Sequence, residues 1–172
     1  MGRKASDFIE ACIGGLGAKH RTKPRMKLVS ACLIGISCNY RGESSYNEEV
    51  FEEFKTGNMY PICPEILGGL PTPRAAAEIR YGSSSDVLDG KARVVTREGE
   101  DVTDALIKGA YMVLEIARSI GAKEAVLKAR SPSCGCGKIY DGTFSGNMVD
   151  GDGVTAGLLK RNGIEVMTDN DV

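Results

Sequence analysis

The stretch Met26-Lys27-Leu28-Val29-Ser30-Ala31-Cys32 reads as a first buried strand, running from about Leu28 to Leu33, and the fold class follows from it. Working outward, Glu48 to Phe54 is a short helix and Met59 to Cys63 a second apolar run that ends at Pro64. Ala92 to Thr96 is a strand with β-branched residues, bounded by Gly90 and Gly99. Val102, Leu106, Ala110, Val113, Ala117 and Ile120 recur at spacings of three and four, which makes one apolar face of a long helix. Asp101 or Thr103 caps its start, and Gly121 suits its end. Ala125 to Lys128 is a further short strand, Val154 to Arg161 a helix ended by Gly163, and Ile164 to Met167 a last strand. Strands alternating with helices predict a single α/β domain with a mostly parallel sheet flanked by helices, a Rossmann-like layering.

The 172 residues suit one domain, and 42% hydrophobic content is enough for a core. A net charge of −1 gives no basic field for gripping nucleic acid. No apolar run approaches the roughly 20 residues of a membrane span. The charge is uneven: residues 1–25 carry six Lys/Arg against two acids, and residues 26–172 carry 16 against 21. Residues 1–25 are therefore expected to be a basic N-terminal extension on a domain of residues 26–172. Glu10 inside the apolar stretch and Lys19-His20-Arg21 after it fit a secretory signal poorly, so a cytoplasmic protein with reduced thiols is expected.

With His20 the sole histidine, chemistry must rest on Cys, carboxylates, Lys, Arg or hydroxyls. In open α/β sheets ligands gather beyond the carboxyl ends of the strands. Cys32 closes the first strand, Cys63 the second, and Cys134 lies just after the 125–128 strand. Three distant segments thus deliver three thiols to one edge. A free Cys taken singly is more often a small buried hydrophobe. That reading weakens for Cys63 and Cys134, which sit in Pro61-Ile62-Cys63-Pro64-Glu65 and Ser131-Pro132-Ser133-Cys134-Gly135-Cys136-Gly137. Prolines and glycines there expose a thiolate and let backbone N–H groups approach it. No C-x-x-C pair occurs, so the thiolates favour an iron–sulfur cluster, with structural zinc second. Glu65, Lys128, Arg130, Ser131 and Ser133 stand beside these cysteines as acid/base, cationic and hydroxyl groups, although Lys128 and Arg130 equally suit a solvated strand end. Arg74, ending Gly68-Gly69-Leu70-Pro71-Thr72-Pro73-Arg74, suits a planar or anionic group. The start of the last helix, Asp150-Gly151-Asp152-Gly153-Val154-Thr155, offers free N–H groups to an anion, but Asp152 reads better as a plain N-cap.

Ser30-Ala31-Cys32-Leu33-Ile34-Gly35, Cys63-Pro64-Glu65 leading into Gly68 to Arg74, Ser131-Pro132-Ser133-Cys134-Gly135 and Ile139-Tyr140-Asp141-Gly142-Thr143-Phe144-Ser145-Gly146 resemble a bacterial and archaeal family associated with thiouracil desulfidases. The resemblance covers about residues 26–168. It implies a [4Fe-4S] cluster held by Cys32, Cys63 and Cys134, with the fourth iron open to the sulfur of a thiolated substrate. The implied activity is a hydrolase-like, non-redox removal of sulfur from a thiolated uracil, with iron as Lewis acid. Glu65 is the candidate acid or base, and Ser133, Ser131 or Lys128 would orient the ring or stabilise developing charge. Cys136 stands where the family more often has serine, and Asn39 and Arg41 replace an Arg and an Asp after Cys38.

A single domain without an added RNA-binding module favours a small thiolated base or nucleoside over tRNA, and only the basic arm pulls the other way. The competing readings are a non-catalytic cluster- or sulfur-carrying accessory protein, in which Cys136 or Cys38 fills the fourth site, and a zinc-binding module.

Overall fold

The computed structural model describes residues 25–172. The expected extension over residues 1–25, with Cys12 and His20, lies outside the described residues except for Arg25. Four parallel strands form the central sheet in the order β2-β1-β5-β8, where β1 is Lys27–Ser30, β2 Met59–Ile62, β5 Glu124–Leu127 and β8 Glu165–Thr168. Helix α1, Glu48–Phe54, lies between β1 and β2 in sequence. Helix α4, Thr103–Ile120, leads into β5, and α5, Val154–Arg161, leads into β8.

Both faces of the sheet are covered, as a parallel sheet requires. Leu28, Ala125, Leu127 and Val166 turn to a core built with Leu106, Val113 and Ala117 of α4 and Leu158 and Leu159 of α5. Val29 and Val126 turn the other way, onto Leu33, Val50, Phe51 and Phe54 around α1. The alternation of β1 is the period of a strand whose two faces are both apolar. Leu28 and Val29 have no exposure, and burying such a side chain contributes roughly 1.5–3 kcal/mol before ordering entropy is charged.

Three details differ from the sequence reading. The strand predicted at Ala92 to Thr96 forms as β4, Arg93–Thr96, but it does not join the main sheet. It pairs antiparallel with β3, Ala77–Arg80, and the short helix α3, Ser84–Leu88, lies in their connection. A second hairpin, β6 Lys138–Tyr140 with β7 Met148–Asp150, also stands apart from the sheet. At the start of α4, Asp101 serves the cap from one residue before it, accepting the Thr103 N–H at 2.9 Å. The Thr103 hydroxyl turns instead to β4, where it accepts the Val94 N–H at 2.9 Å. Gly121 in left-handed conformation closes α4 as expected.

Among the described residues no helix is long and apolar enough to cross a membrane.

Candidate functional site

The carboxyl ends of β1, β2 and β5 are neighbours; cysteine-bearing turns follow β1 and β2 at once, and the Cys134 turn follows β5 after residues 128–130. Cys32 sits in a 3-10 turn, Ala31–Ile34, which is closed by Gly35 at φ 97°. Cys63 is the N-cap of α2, Pro64–Gly68, with Pro64 in the first turn, where its missing N–H costs nothing. Helix α2 is pressed onto α4 without intervening side chains. A Cβ on Gly68 would stand 2.0 Å from the Ala105 carbonyl oxygen, and one on Gly109 would stand 1.9 Å from that of Pro64.

The Cys134 turn is organised by Ser131, whose Oγ accepts the N–H groups of Ser133 at 3.1 Å and Cys134 at 3.0 Å. The carbonyls of Pro132 and Ser133 accept the N–H groups of Val154, Thr155 and Ala156, which fastens the turn to the start of α5. Those groups are therefore spent, and the anion site read there is not formed. Asp152 is not the cap either, because Gly153 holds that position. A Cβ at Gly153 would lie 2.5 Å from Ser133 backbone, so the helix comes too close to the turn for a side chain. Asp152 instead accepts from Gly137 N at 2.9 Å and Lys160 Nζ at 2.8 Å.

Cys32, Cys63 and Cys134 line one cavity of roughly 630 Å³, together with Glu65, Lys128 and Ser131. The two hairpins contribute to its wall, and they are tied to each other. Phe144 N donates to Glu78 Oε2 at 3.0 Å, and Arg80 Nε donates to the Gly142 carbonyl at 2.9 Å. Arg74 is not free for a ligand, as the sequence suggested. Its Nε pairs with Glu65 Oε2, its Nη2 donates to the Cys38 carbonyl at 3.2 Å, and its Nη1 donates to Pro71 O and Thr72 Oγ1, each at 3.2 Å. Glu65 Oε1 faces Ser131 Oγ at 3.4 Å. Lys128 is half-buried rather than a solvated strand end, with Nζ 2.8 Å from Asp169 Oδ2.

A fourth thiol shares the cavity. Cys38 lines it as well, and its carbonyl accepts the Cys63 thiol at 3.8 Å. The Cys38 side chain lowers the Cys32 thiol and takes that of Cys63 down to about 6, against the burial of both, while Cys38 itself is raised. Burial pushes the Cys134 thiol well up, with the Ser30 hydroxyl working the other way.

Two of the residues singled out from sequence are elsewhere. Ser133 is fully buried, with its hydroxyl 2.8 Å from that of Thr155, and does not line the cavity. Cys136 also lies outside it and donates its thiol to the Val166 carbonyl at 3.4 Å, so it is not placed to fill a fourth site there. Asp169 and Ser30 were missed. No motif marks Asp169 in Thr168-Asp169-Asn170-Asp171, although it accepts the Ala129 N–H at 2.6 Å as well as holding Lys128.

The sequence matches the 2-thiouracil desulfurase family over residues 28–171. The chain belongs to this family. The protein YbbK of Bacillus subtilis (strain 168), uncharacterized, is 47% identical over 147 residues, which are 86% of this chain and 97% of that protein. A solved structure of TudS, a [4Fe-4S]-dependent thiouracil desulfidase, matches with a TM-score of 0.76 at 39% identity, covering 86% of this chain and 93% of that one. The four-stranded parallel sheet flanked by helices is thus the fold of a desulfurase-family member.

The donor set fits an iron–sulfur cluster. Among the described residues no three Cys, His, Asp or Glu side chains converge as the ligands of a single metal ion would. A cluster instead takes its thiolates on separate irons, and three soft sulfurs on three separate turns around one cavity meet that need.

Proposed function

We propose that this desulfurase-family chain removes sulfur from a thiolated uracil, with Cys32, Cys63 and Cys134 holding a [4Fe-4S] cluster. One observation carries the reading: three cysteines from separate strand ends face a cavity that also receives Glu65, Ser131 and Lys128. The likeness to TudS supports it. When bound, the cluster supplies an open iron that acts as a Lewis acid toward a thiocarbonyl sulfur without changing oxidation state.

The protein's own groups handle protons and charge. Glu65 Oε2 is occupied by Arg74, which leaves Oε1 as the atom that takes a proton from the water adding to the ring carbon. Ser131 Oγ already accepts two backbone N–H groups, so its remaining hydrogen points to Glu65 Oε1 and orients it. Lys128, steadied by Asp169, places an ammonium near Cys32 and offsets negative charge that develops on the ring. Ser133 is a positioning residue, acting through the Cys134 turn. A cavity of roughly 630 Å³ is the size of small-molecule sites, about 300–1,000 Å³, and favours a free base or nucleoside over tRNA. We assign residues 1–25 to an extension outside this machinery and the protein to the cytoplasm, where its thiols stay reduced.

The test is anaerobic reconstitution, with iron and sulfide counted per chain and sulfide release followed from 2- and 4-thiouracil and their nucleosides. About four irons per chain and sulfide release are expected. A loaded protein that releases sulfide from none of them leaves only the carrier reading, and zinc in place of iron leaves only the binding module.

A further inference from the structure

Glu78 lines the cavity from the β3–β4 hairpin, and nothing in the proposed chemistry uses it. It is 8% exposed, a degree of burial that acids rarely reach unless they are paired, yet among the described residues it forms no ion pair. One of its oxygens is spent within the protein, where Oε2 accepts the Phe144 N–H at 3.0 Å. Phe144 is presented for this at φ 58°, a backbone conformation that residues other than glycine rarely adopt. The two hairpins meet there without spare room. A Cβ on Gly142 would stand 2.4 Å from the Ile79 carbonyl oxygen, and the guanidinium groups of Arg80 and Arg97 each lie 5.7 Å from the centre of the Phe144 ring. Glu78 is therefore held in one position.

Its other oxygen, Oε1, accepts nothing from the described residues. No side-chain oxygen or nitrogen among them is both cut off from solvent and unpartnered, so Oε1 is open, and the cavity is the space that Glu78 lines. A carboxylate accepts up to about four hydrogen bonds, and the protein fills one of them here. A nearly buried acceptor of this kind selects a ligand that brings an N–H or O–H donor to it.

The geometry of the ring says which donor that is. A uracil with sulfur on C4 carries N1 directly across the ring, whereas one with sulfur on C2 carries C5 there, a carbon without a donor. With the sulfur drawn to the cysteines at the strand ends, the atom across the ring is turned to the wall that the hairpins supply. We propose that Glu78 is a specificity-determining residue, whose Oε1 accepts a hydrogen bond from the N1 side of a 4-thiolated uracil. The donor is the N1–H of a free base or a sugar hydroxyl of a nucleoside, and the substrates below tell the two apart. This assignment rests on the desulfidase reading above.

The experiment compares reconstituted full-length wild type, Glu78→Gln and, as control, Arg80→Met, with iron counted and folding checked by circular dichroism. Sulfide release is followed from 4-thiouracil, 1-methyl-4-thiouracil, 4-thiouridine and 2-thiouracil. The glutamine keeps an oxygen for the Phe144 N–H but turns an NH2 donor to the cavity. Glu78→Gln is expected to load iron fully, keep its kcat and raise KM about tenfold for the 4-thiolated substrate that brings the donor, while KM for 2-thiouracil stays put. In wild type, 4-thiouracil binding about tenfold better than its 1-methyl form assigns the donor to N1–H, and a low KM for 4-thiouridine alone assigns it to the sugar. Arg80→Met loosens the clasp from outside the cavity and should lower the melting temperature with the order of KM values unchanged. A folded Glu78→Gln with wild-type KM throughout, or with KM raised equally for 2- and 4-thiolated substrates, would reduce Glu78 to a clasp between hairpins and overturn the proposal. If Glu78→Gln does not fold, wild type decides alone, since equal KM for the three 4-thiolated compounds overturns it as well. Each of these results leaves the desulfidase reading standing, whereas a wild type that releases sulfide from none of the four overturns both.

Discussion

Replacing Gly109 by alanine sets local propensity against packing, and the structure says which wins. In an exposed helix interior the change would stabilise by about 1 kcal/mol, because alanine is the better helix former. Here the added Cβ would stand 1.9 Å from the Pro64 carbonyl oxygen, and ordinary contact begins at 3.4 Å, so α2 must retreat by roughly 1.5 Å. The obstacle is backbone, which cannot rotate aside as a side chain can. Overpacking of this kind costs about 1–3 kcal/mol, so the net effect runs from about zero to 2 kcal/mol of destabilisation. At about 2–4 °C per kcal/mol for a chain of this length, the melting temperature should fall by up to about 8 °C. The larger effect is on the site, since α2 carries Cys63 at its N-cap and Glu65 in its first turn. Displacing a positioned group by about 1 Å can cost 10²-fold in rate. Differential scanning calorimetry, iron counts and sulfide release are the assays, with the exposed Lys108→Ala on the same helix as control. Gly109→Ala with a raised melting temperature, full iron and an unchanged rate would refute the close α2–α4 contact as the support of the site.

Single replacement of Cys32, Cys63 or Cys134 by serine should abolish the brown absorption near roughly 400 nm, whereas Cys136→Ser, outside the cavity, should keep it; anaerobic spectra decide. Glu65→Gln should load iron normally and lower sulfide release by about 10²-fold, the weight of a positioned acid or base. The Ser83–Asp86 capping box holds the Asp86 carboxyl below its ordinary value, chiefly through the Ser83 N–H and hydroxyl, at 2.8 and 2.7 Å. A lowered carboxyl stabilises fully above the unfolded value of about 3.9 and loses that contribution as pH falls through its folded value. Asp86→Asn should therefore melt below wild type at neutral pH, with the gap closing as pH drops below about 4, read from thermal melts across pH.

The central sheet was legible because its signals are local. Leu28 and Val29, or Val126 and Leu127, are adjacent apolar residues turned to opposite buried faces, and such runs mark a strand covered on both sides. Helix α4 was legible from its periodicity. The two hairpins were not. Strand β3 opens in a run of three alanines, Ala75-Ala76-Ala77, with weak strand propensity, and β7 is exposed at all three residues, so no hydrophobic pattern marks it. With β3 unseen, the β-branched residues of β4 marked a strand but not its antiparallel partner.

The site divides along the same line. Cys32 and Cys63 follow within two residues of β1 and β2, and Cys134 lies in the loop after β5, so their convergence needs little beyond the parallel topology. Glu65 comes with Cys63, and Ser131 with Cys134, because each shares a turn of a few residues with its cysteine. What failed were assignments that depend on where a side chain points after the chain has turned. Ser133 and Cys134 are adjacent, yet one hydroxyl is buried against Thr155 while the neighbouring thiol faces the cavity. Cys136 is two residues beyond Cys134 in a glycine-flanked segment and ends against Val166, whereas Cys38, six residues from Cys32, returns to the cavity. Sequence distance favoured Cys136. Arg74 decides otherwise, by joining Glu65 to the Cys38 carbonyl and so drawing the Cys38 loop to the same wall as Cys63. The cation that looked from sequence like a binding group is spent on holding two parts of the site together, and Arg74→Ala should accordingly loosen both Glu65 and Cys38 while leaving the turns of Cys32 and Cys134 in place.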